Sequence, residues 1–199
     1  MVELPVVEPV ETPPLNILIV CTGNICRSPL AEKLLQSRLT AAGIPAIVTS
    51  AGTRAMVDQP MTDEAAFLAT QYGAEPTLHA AQQLTAARIA AADLVLTATR
   101  EHRGEVVSLH PRAHRYAYTL NQFARLVSVA ELVETPTINN FLSEISARKG
   151  LSLPATRLED DNIEDPYLRS AEVYDRVGAV IDKSVSIITT ALATAIDRP

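Results

Sequence analysis

Cysteine is scarce in this sequence: Cys21 and Cys26 are the only two, five positions apart. So close a pair leaves no distant partner to staple, which argues against a disulfide framework and for a reducing compartment. Without nearby histidine or further cysteine the pair also falls short of a fourfold zinc ligand set, so neither a metal nor a cofactor is expected. Long apolar runs are missing as well. No segment reaches about 18 uninterrupted apolar residues, and the opening MVELPVVEPVETPP has no basic region followed by an apolar core. No membrane insertion is expected, and the cytoplasm is the expected location. The third shortage is positive charge. Lys and Arg number 17 against 23 Asp and Glu, a net charge of −6. No overall basic field favours nucleic acid, and any anion site has to be built locally.

What is present suffices for one core: 199 residues, 47% of them hydrophobic, is rather short for two. Residues 1–14, with Pro5, Pro9, Pro13, Pro14, Glu3, Glu8 and Glu11, read as a flexible arm, and 15–199 as a single domain. Leu15 to Val20 (LNILIV) is a branched, nearly all-apolar run, the pattern of a strand covered on both faces of a parallel sheet. Pro29 at an early helical position and Leu30, Leu34, Leu35 and Leu39 at helical spacing predict a helix closing near Gly43. Further strands are expected at Pro45–Ser50, Asp93–Ala98 and within Ala113–Thr119. Helices are expected at Pro60–Tyr72, at Thr85–Ala92, twice within Leu120–Lys149 with a split near Thr135–Pro136, and at Glu172–Leu192. Ser152–Asp161 reads as an exposed loop, and no internal repeat or linker is found. This alternation predicts an α/β three-layer sandwich: a four-stranded parallel sheet flanked by helices, with ligands bound beyond the carboxyl ends of the strands.

One loop carries the chemistry. In VCTGNICRSPLAE, Cys21 is the first residue beyond the first strand, Arg27 follows six positions later, and Ser28-Pro29 opens the helix. Successive backbone N–H groups in such a turn form a nest for an anion, and the helix start adds partial positive charge. Gly23 and Asn24 tolerate the left-handed conformations that the turn demands. Arg27 supplies a planar fork for two oxygens of a tetrahedral oxyanion. The same field favours the thiolate form of Cys21, and a thiolate beneath a bound phosphate is an in-line nucleophile. The hydroxyl of Ser28 can donate to the sulfur and improve it as a leaving group. Cleaving a phosphate monoester also needs a proton on the departing oxygen, so a carboxylic acid should stand over this cradle.

CTGNICRSPLAE resembles the signature of the low-molecular-weight protein tyrosine phosphatases. The likeness extends to TSAGT (Thr49–Thr53), LHAAQQLT (Leu78–Thr85), DLVLTATREH and EDPY (Glu164–Tyr167). It covers roughly Leu15–Arg103 and Asp161 to the final helix, and leaves out most of Leu120–Asp160. The resemblance implies hydrolysis of phosphotyrosine through a phosphocysteine at Cys21, with Arg27 clamping the phosphoryl group. Asp165, in Asp165-Pro166, is the implied acid and then base, although Asp160, Asp161 and Glu164 stand close by. It also implies that Thr22, Gly23, Asn24, Ile25, Cys26 and Ser28 form the phosphate loop. By the same resemblance, Ile25, Met56 and Tyr167 are expected to wall the substrate slot, and Ser50 and His79 to hold Asn24. Two positions depart from the family pattern: Met56 replaces a frequent larger aromatic, and Ala98-Thr99 replaces a usual Met-Asp. Cys26 has two readings, a small apolar filler or a reversible disulfide partner of Cys21. The implied partners are a phosphotyrosine protein substrate and a bacterial tyrosine kinase or its target. A thiol-dependent arsenate reductase is the nearest alternative, though no cysteine after Cys26 supports an internal thiol cascade. A non-catalytic phosphotyrosine-binding regulatory module is the alternative of another class. The basic group Arg112, His114, Arg115 reads as a solvated face or as a place to recruit a partner.

Overall fold

The computed structural model describes residues 13–76, 78–129, 137–149 and 158–196. Most of the N-terminal arm, the Thr135–Pro136 split and most of the Ser152–Asp161 loop lie outside these residues; Leu158–Asp161 forms a short 3-10 turn. Four parallel strands, β1 (Leu15–Cys21), β2 (Ala46–Gly52), β3 (Leu94–Thr97) and β4 (Ala117–Thr119), line up in the order β2-β1-β3-β4. Side chains alternate across a strand, and β1 divides accordingly. Leu15, Ile17 and Ile19 enter one apolar cluster, and Leu18 and Val20 enter another on the opposite face. Both faces of the sheet are therefore covered, which is why LNILIV shows no polar alternation.

The larger cluster packs against α1 (Arg27–Ala41), α2 (Asp63–Gln71), α5 (Leu120–Ser128), α6 (Ile138–Arg148) and α7 (Ala171–Ile196). The smaller one lies under α3 (Ala86–Ala90) and α4 (Arg100–Leu109), which bury Ile89 and Val106. The result is a three-layer α/β sandwich. In α7 the buried stripe is Val173, Val177, Ile181, Val185, Ile188 and Leu192, at helical spacing. By length and composition Ala171–Ala195 could cross a membrane, but this stripe is seated on the protein core, and Arg38 of α1 is ion-paired to Asp182 on its flank.

Several assignments differ from the sequence reading. The second helix starts at Asp63 rather than Pro60, because the Thr62 hydroxyl accepts from Ala65 N–H and caps it there. β2 runs on to Gly52, one residue opposite the end of β1. Arg100–Leu109, to which the sequence reading assigned no helix, is helix α4. It buries only His102 and Val106, so it carries almost no apolar periodicity.

Candidate active site

Cys21 is the last residue of β1 and Arg27 the first of α1, so residues 22–26 must turn the chain within one loop. The loop's carbonyls all accept from groups outside it. Cys21 O, Thr22 O and Gly23 O take the N–H groups of Thr53, Arg54 and Met56 at 2.9, 3.0 and 2.9 Å, and Ile25 O takes that of Thr62 at 2.8 Å. Asn24 O accepts His79 Nε2–H at 2.7 Å. Carbonyls held outward leave the amides for the interior, the arrangement of an anion nest. The segment after β2 can lie this close because residue 52 is glycine: a Cβ there would sit 2.4 Å from Thr22 O.

Asn24 sets the loop's shape, with φ at 58°, a left-handed conformation that asparagine tolerates. Its amide donates to Ser28 Oγ at 2.9 Å and Ser50 Oγ at 2.7 Å, and its Oδ1 accepts Gln82 N–H at 2.8 Å. Ser50 in turn donates to Glu32 Oε2 at 2.5 Å. Since Ser28 accepts from Asn24, its own hydrogen is free for the Cys21 sulfur, 2.9 Å away. Gln82 and Glu32 were not among the sequence candidates; each contributes through a fold contact that spacing does not encode.

Arg27 is 5% exposed. Its Nη1 donates to Ile163 O at 3.1 Å, and its Nη2 reaches Asp165 Oδ2 at 2.6 Å and Thr22 Oγ1 at 3.4 Å. The Nε of Arg27 is buried without an acceptor among the described residues, a donor suited to an oxyanion. Among the neighbouring acids, Asp161 is paired with Arg125 and Glu164 with Arg176. Asp165 instead faces the cradle from a half-exposed position, with its Oδ1 accepting Tyr167 N–H at 3.2 Å. Cys21, Arg27 and Asp165 line one cleft of about 170 Å³ together with Thr22, Gly23 and Cys26. Ile25, Met56 and Tyr167 form its apolar wall and Arg54 stands at its edge. Met56 and Tyr167 are both 41% exposed, which places them at the mouth.

Cys26 lines the same cleft, but its sulfur contacts Tyr174 Oη at 3.4 Å and Thr62 Oγ1 at 3.7 Å. Burial pushes its thiol above the ordinary cysteine range, and the bonds to Tyr174 and Thr62 offset part of that. Both cysteines are free. His102, also missed in the sequence, is 4% exposed and bonds Thr22 Oγ1 through Nε2 and Thr99 Oγ1 through Nδ1, each at 2.8 Å. Burial, then the nearby Arg27 charge, lowers its pKa to about 4, so the ring is neutral at ordinary pH. Thr99, one of the two positions where this sequence departs from the family pattern, caps α4 by accepting His102 N–H. Among the described residues no group of three or more His, Cys, Asp or Glu is placed to hold a metal ion.

A parallel α/β sandwich with a C-x5-R cradle after its first strand defines the class of proteins that handle tetrahedral oxyanions with a loop cysteine. Within that class the assignment is specific. A family model for low molecular weight phosphotyrosine protein phosphatase matches residues 16–139, and the chain belongs to this family of phosphoric monoester hydrolases. It is 40% identical over 178 residues, 89% of this chain and 97% of the other, to an Erwinia amylovora protein named "Probable low molecular weight protein-tyrosine-phosphatase AmsI". It is 29% identical over 169 residues to the low molecular weight protein-tyrosine-phosphatase Etp of Escherichia coli K12, covering 85% of this chain and 88% of Etp. The fold is similar to the crystal structure of E. amylovora tyrosine phosphatase AmsI, with TM-score 0.66, 24% identity and 96% and 99% of the two chains covered. It is likewise similar to the YwlE arginine phosphatase of Geobacillus stearothermophilus, with TM-score 0.67, 27% identity and coverage of 91% and 94%.

Proposed function

We propose that residues 15–199 form a single domain that hydrolyses protein phosphotyrosine through a phosphocysteine. The observation that carries this reading is the convergence of the Cys21 sulfur, the Arg27 guanidinium and the Asp165 carboxyl on one cleft whose loop carbonyls are all engaged outside it. A phosphoryl dianion entering the cleft takes the loop amides and the Arg27 fork, displacing the Asp165 carboxylate from Nη2; parted from the guanidinium and set beside a dianion, the half-exposed carboxylate takes up a proton from solvent. The Cys21 thiolate attacks phosphorus in line, and the bond from phosphorus to the tyrosine oxygen breaks as protonated Asp165 gives that oxygen its proton. Asp165, now a carboxylate, then takes a proton from water as the water oxygen attacks phosphorus. The S–P bond breaks, inorganic phosphate leaves, and the Ser28 hydroxyl stabilises the departing thiolate. Asn24, with Ser50 and His79, keeps the loop in register.

The apolar wall of Ile25, Met56 and Tyr167 suits a phenyl ring. A relative named protein-arginine-phosphatase in G. stearothermophilus is 36% identical over 111 residues, 55% of this chain, which raises phosphoarginine as a second substrate. A guanidinium leaving group wants acceptors along its edge, and among the described residues the cleft lining offers a single carboxylate, Asp165, which the reaction already uses as its acid. That chemistry favours the aryl ester. An internal thiol cascade of the arsenate reductase kind has no cysteine to continue it beyond Cys26. A pure phosphotyrosine-binding module needs neither the nucleophile nor the acid. The proposed partners are a phosphotyrosine protein and the bacterial tyrosine kinase that modifies it, in the cytoplasm.

The test is hydrolysis of phosphotyrosine, phosphoserine and phosphoarginine peptides beside thiol-coupled arsenate reduction. Phosphotyrosine should be turned over fastest, and Cys21→Ser should abolish turnover. Asp165→Asn should lose about 10² to 10⁴-fold in rate. Turnover surviving in Cys21→Ser, or arsenate reduction outrunning hydrolysis, defeats the reading.

A further inference from the structure

His102 is buried against the cradle, yet the reaction as written gives it no part. Its two ring nitrogens join two hydroxyls, Thr99 on the capping turn of α4 and Thr22, the loop residue next to Cys21. A neutral imidazole donates from one nitrogen and accepts at the other, and a threonine hydroxyl donates once and accepts twice. Thr99 Oγ1 already accepts His102 N–H at 3.2 Å. If Nδ1 accepts, the Thr99 hydrogen has a partner and Nε2–H points to Thr22. The opposite tautomer would aim two N–H donors of one residue at Thr99 Oγ1 and leave the Thr99 hydrogen no acceptor in the group.

With Nε2 donating, Thr22 Oγ1 accepts from His102 at 2.8 Å and from Arg27 Nη2 at 3.4 Å. Both lone pairs are then used, and its own hydrogen must go elsewhere. Thr22 lines the cleft beside Cys21, Arg27 and Asp165, so an anion seated there, once it has displaced the Asp165 carboxylate, presents an oxygen to accept this hydrogen. We infer that His102 is a positioning residue that locks the Thr22 side chain as a hydroxyl donor into the cleft, adding a donor to the phosphoryl group beyond the loop amides and Arg27. This rests on the phosphatase reading, since it is a transferring phosphoryl group whose growing charge the hydroxyl would meet. His102 can do this without switching its own charge, because burial first and the Arg27 charge next disfavour its protonation, and the smaller opposing influence of Asp165 does not overcome them.

The experiment compares kcat and KM on an aryl phosphate for wild type, Thr22→Val, His102→Phe and the double variant. Each single variant should lose about 10- to 100-fold in kcat, the range for one hydrogen bond to a charged acceptor, with KM changed less than about threefold. The double variant should be no worse than the more damaged single, because His102 acts through Thr22. Multiplying losses, or an undiminished kcat in Thr22→Val, would overturn the inference. Nitrogen-15 NMR of the His102 ring in wild-type protein with inorganic phosphate supplies a readout that needs no variant to fold. A proton on Nε2 and none on Nδ1 supports the inference; the reverse tautomer overturns it. Absence of aryl phosphate hydrolysis by the wild type would instead defeat the phosphatase reading itself.

Discussion

Asp165 and Arg27 are joined by a 2.6 Å ion pair, the aspartate side chain being 51% exposed and the arginine 5%. The acid of the proposed reaction therefore competes with substrate for the same Nη2. An exposed partner in such a pair is worth little by itself, so a dianion that also gains the loop amides should displace it. Asp165→Asn removes the competing charge. Along with its loss of turnover, that variant is expected to bind inorganic phosphate several-fold more tightly than wild type, as read by calorimetry at pH 7. Weaker binding would mean that Asp165 helps to hold the anion. At this scale the sequence was legible where chemistry is local. The Cys21, Asn24, Arg27 and Ser28 spacing puts nucleophile, turn residue, fork and sulfur donor on one short loop. It was not legible for His102, 80 residues from Thr22; for the acid, the resemblance pointed to Asp165, while spacing alone did not single it out among four neighbouring carboxylates. Asp161 and Glu164 are separated from Asp165 by their own arginine partners, Arg125 and Arg176, and those pairings are decided by the fold.

Helix α7 shows how an element is held in place. Its first half crosses α2, where Gly178 lets Leu68 and Tyr72 approach: a Cβ there would meet Leu68 Cδ1 at 3.0 Å. Ile181 is fully buried in the larger core cluster. Ile181→Ala should cost about 2–5 kcal/mol of stability, measured as a lower urea midpoint with an unchanged slope. A cost under 1 kcal/mol would mean that α7 is not fastened to the core as described. The stripe of α7 was readable because a long amphipathic helix repeats its signal over several turns. Helix α4 has ten residues and two buried ones, too few to mark a period. Its real marker was a cap. Thr62, Thr85, Thr99, Thr119 and Thr137 each accept an N–H three residues on, and a threonine cap is visible in sequence only when a periodic run follows it.

The whole molecule is acidic, at −6, while its cleft contains Arg27 and Arg54; the anion site is built from local donors against the net charge. The same cations, with burial, bear on how the fold responds to acid. The unfolded chain protonates His102 near 6.5, whereas the folded protein resists until about 4. Between these values the unfolded state binds the extra proton, so stability falls as pH is lowered through 6.5 toward 4. Thermal unfolding from pH 7 to pH 4 should show this decline in wild type and a shallower one in His102→Gln, once carboxylate titration common to both is subtracted. Parallel curves would show that His102 is protonated as readily folded as unfolded.

The sequence by itself determined the features that neighbouring residues control: the sheet strand written as LNILIV, the C-x5-R turn with its left-handed asparagine, and the amphipathic helices. Each follows from backbone geometry or side-chain periodicity acting over a few residues. Only the tertiary structure decided which acid meets Arg27 across 138 positions, which histidine braces the loop, and where Cys26 turns its sulfur. Those depend on strands lying side by side and helices crossing them, and such contacts are fixed by packing of the whole core.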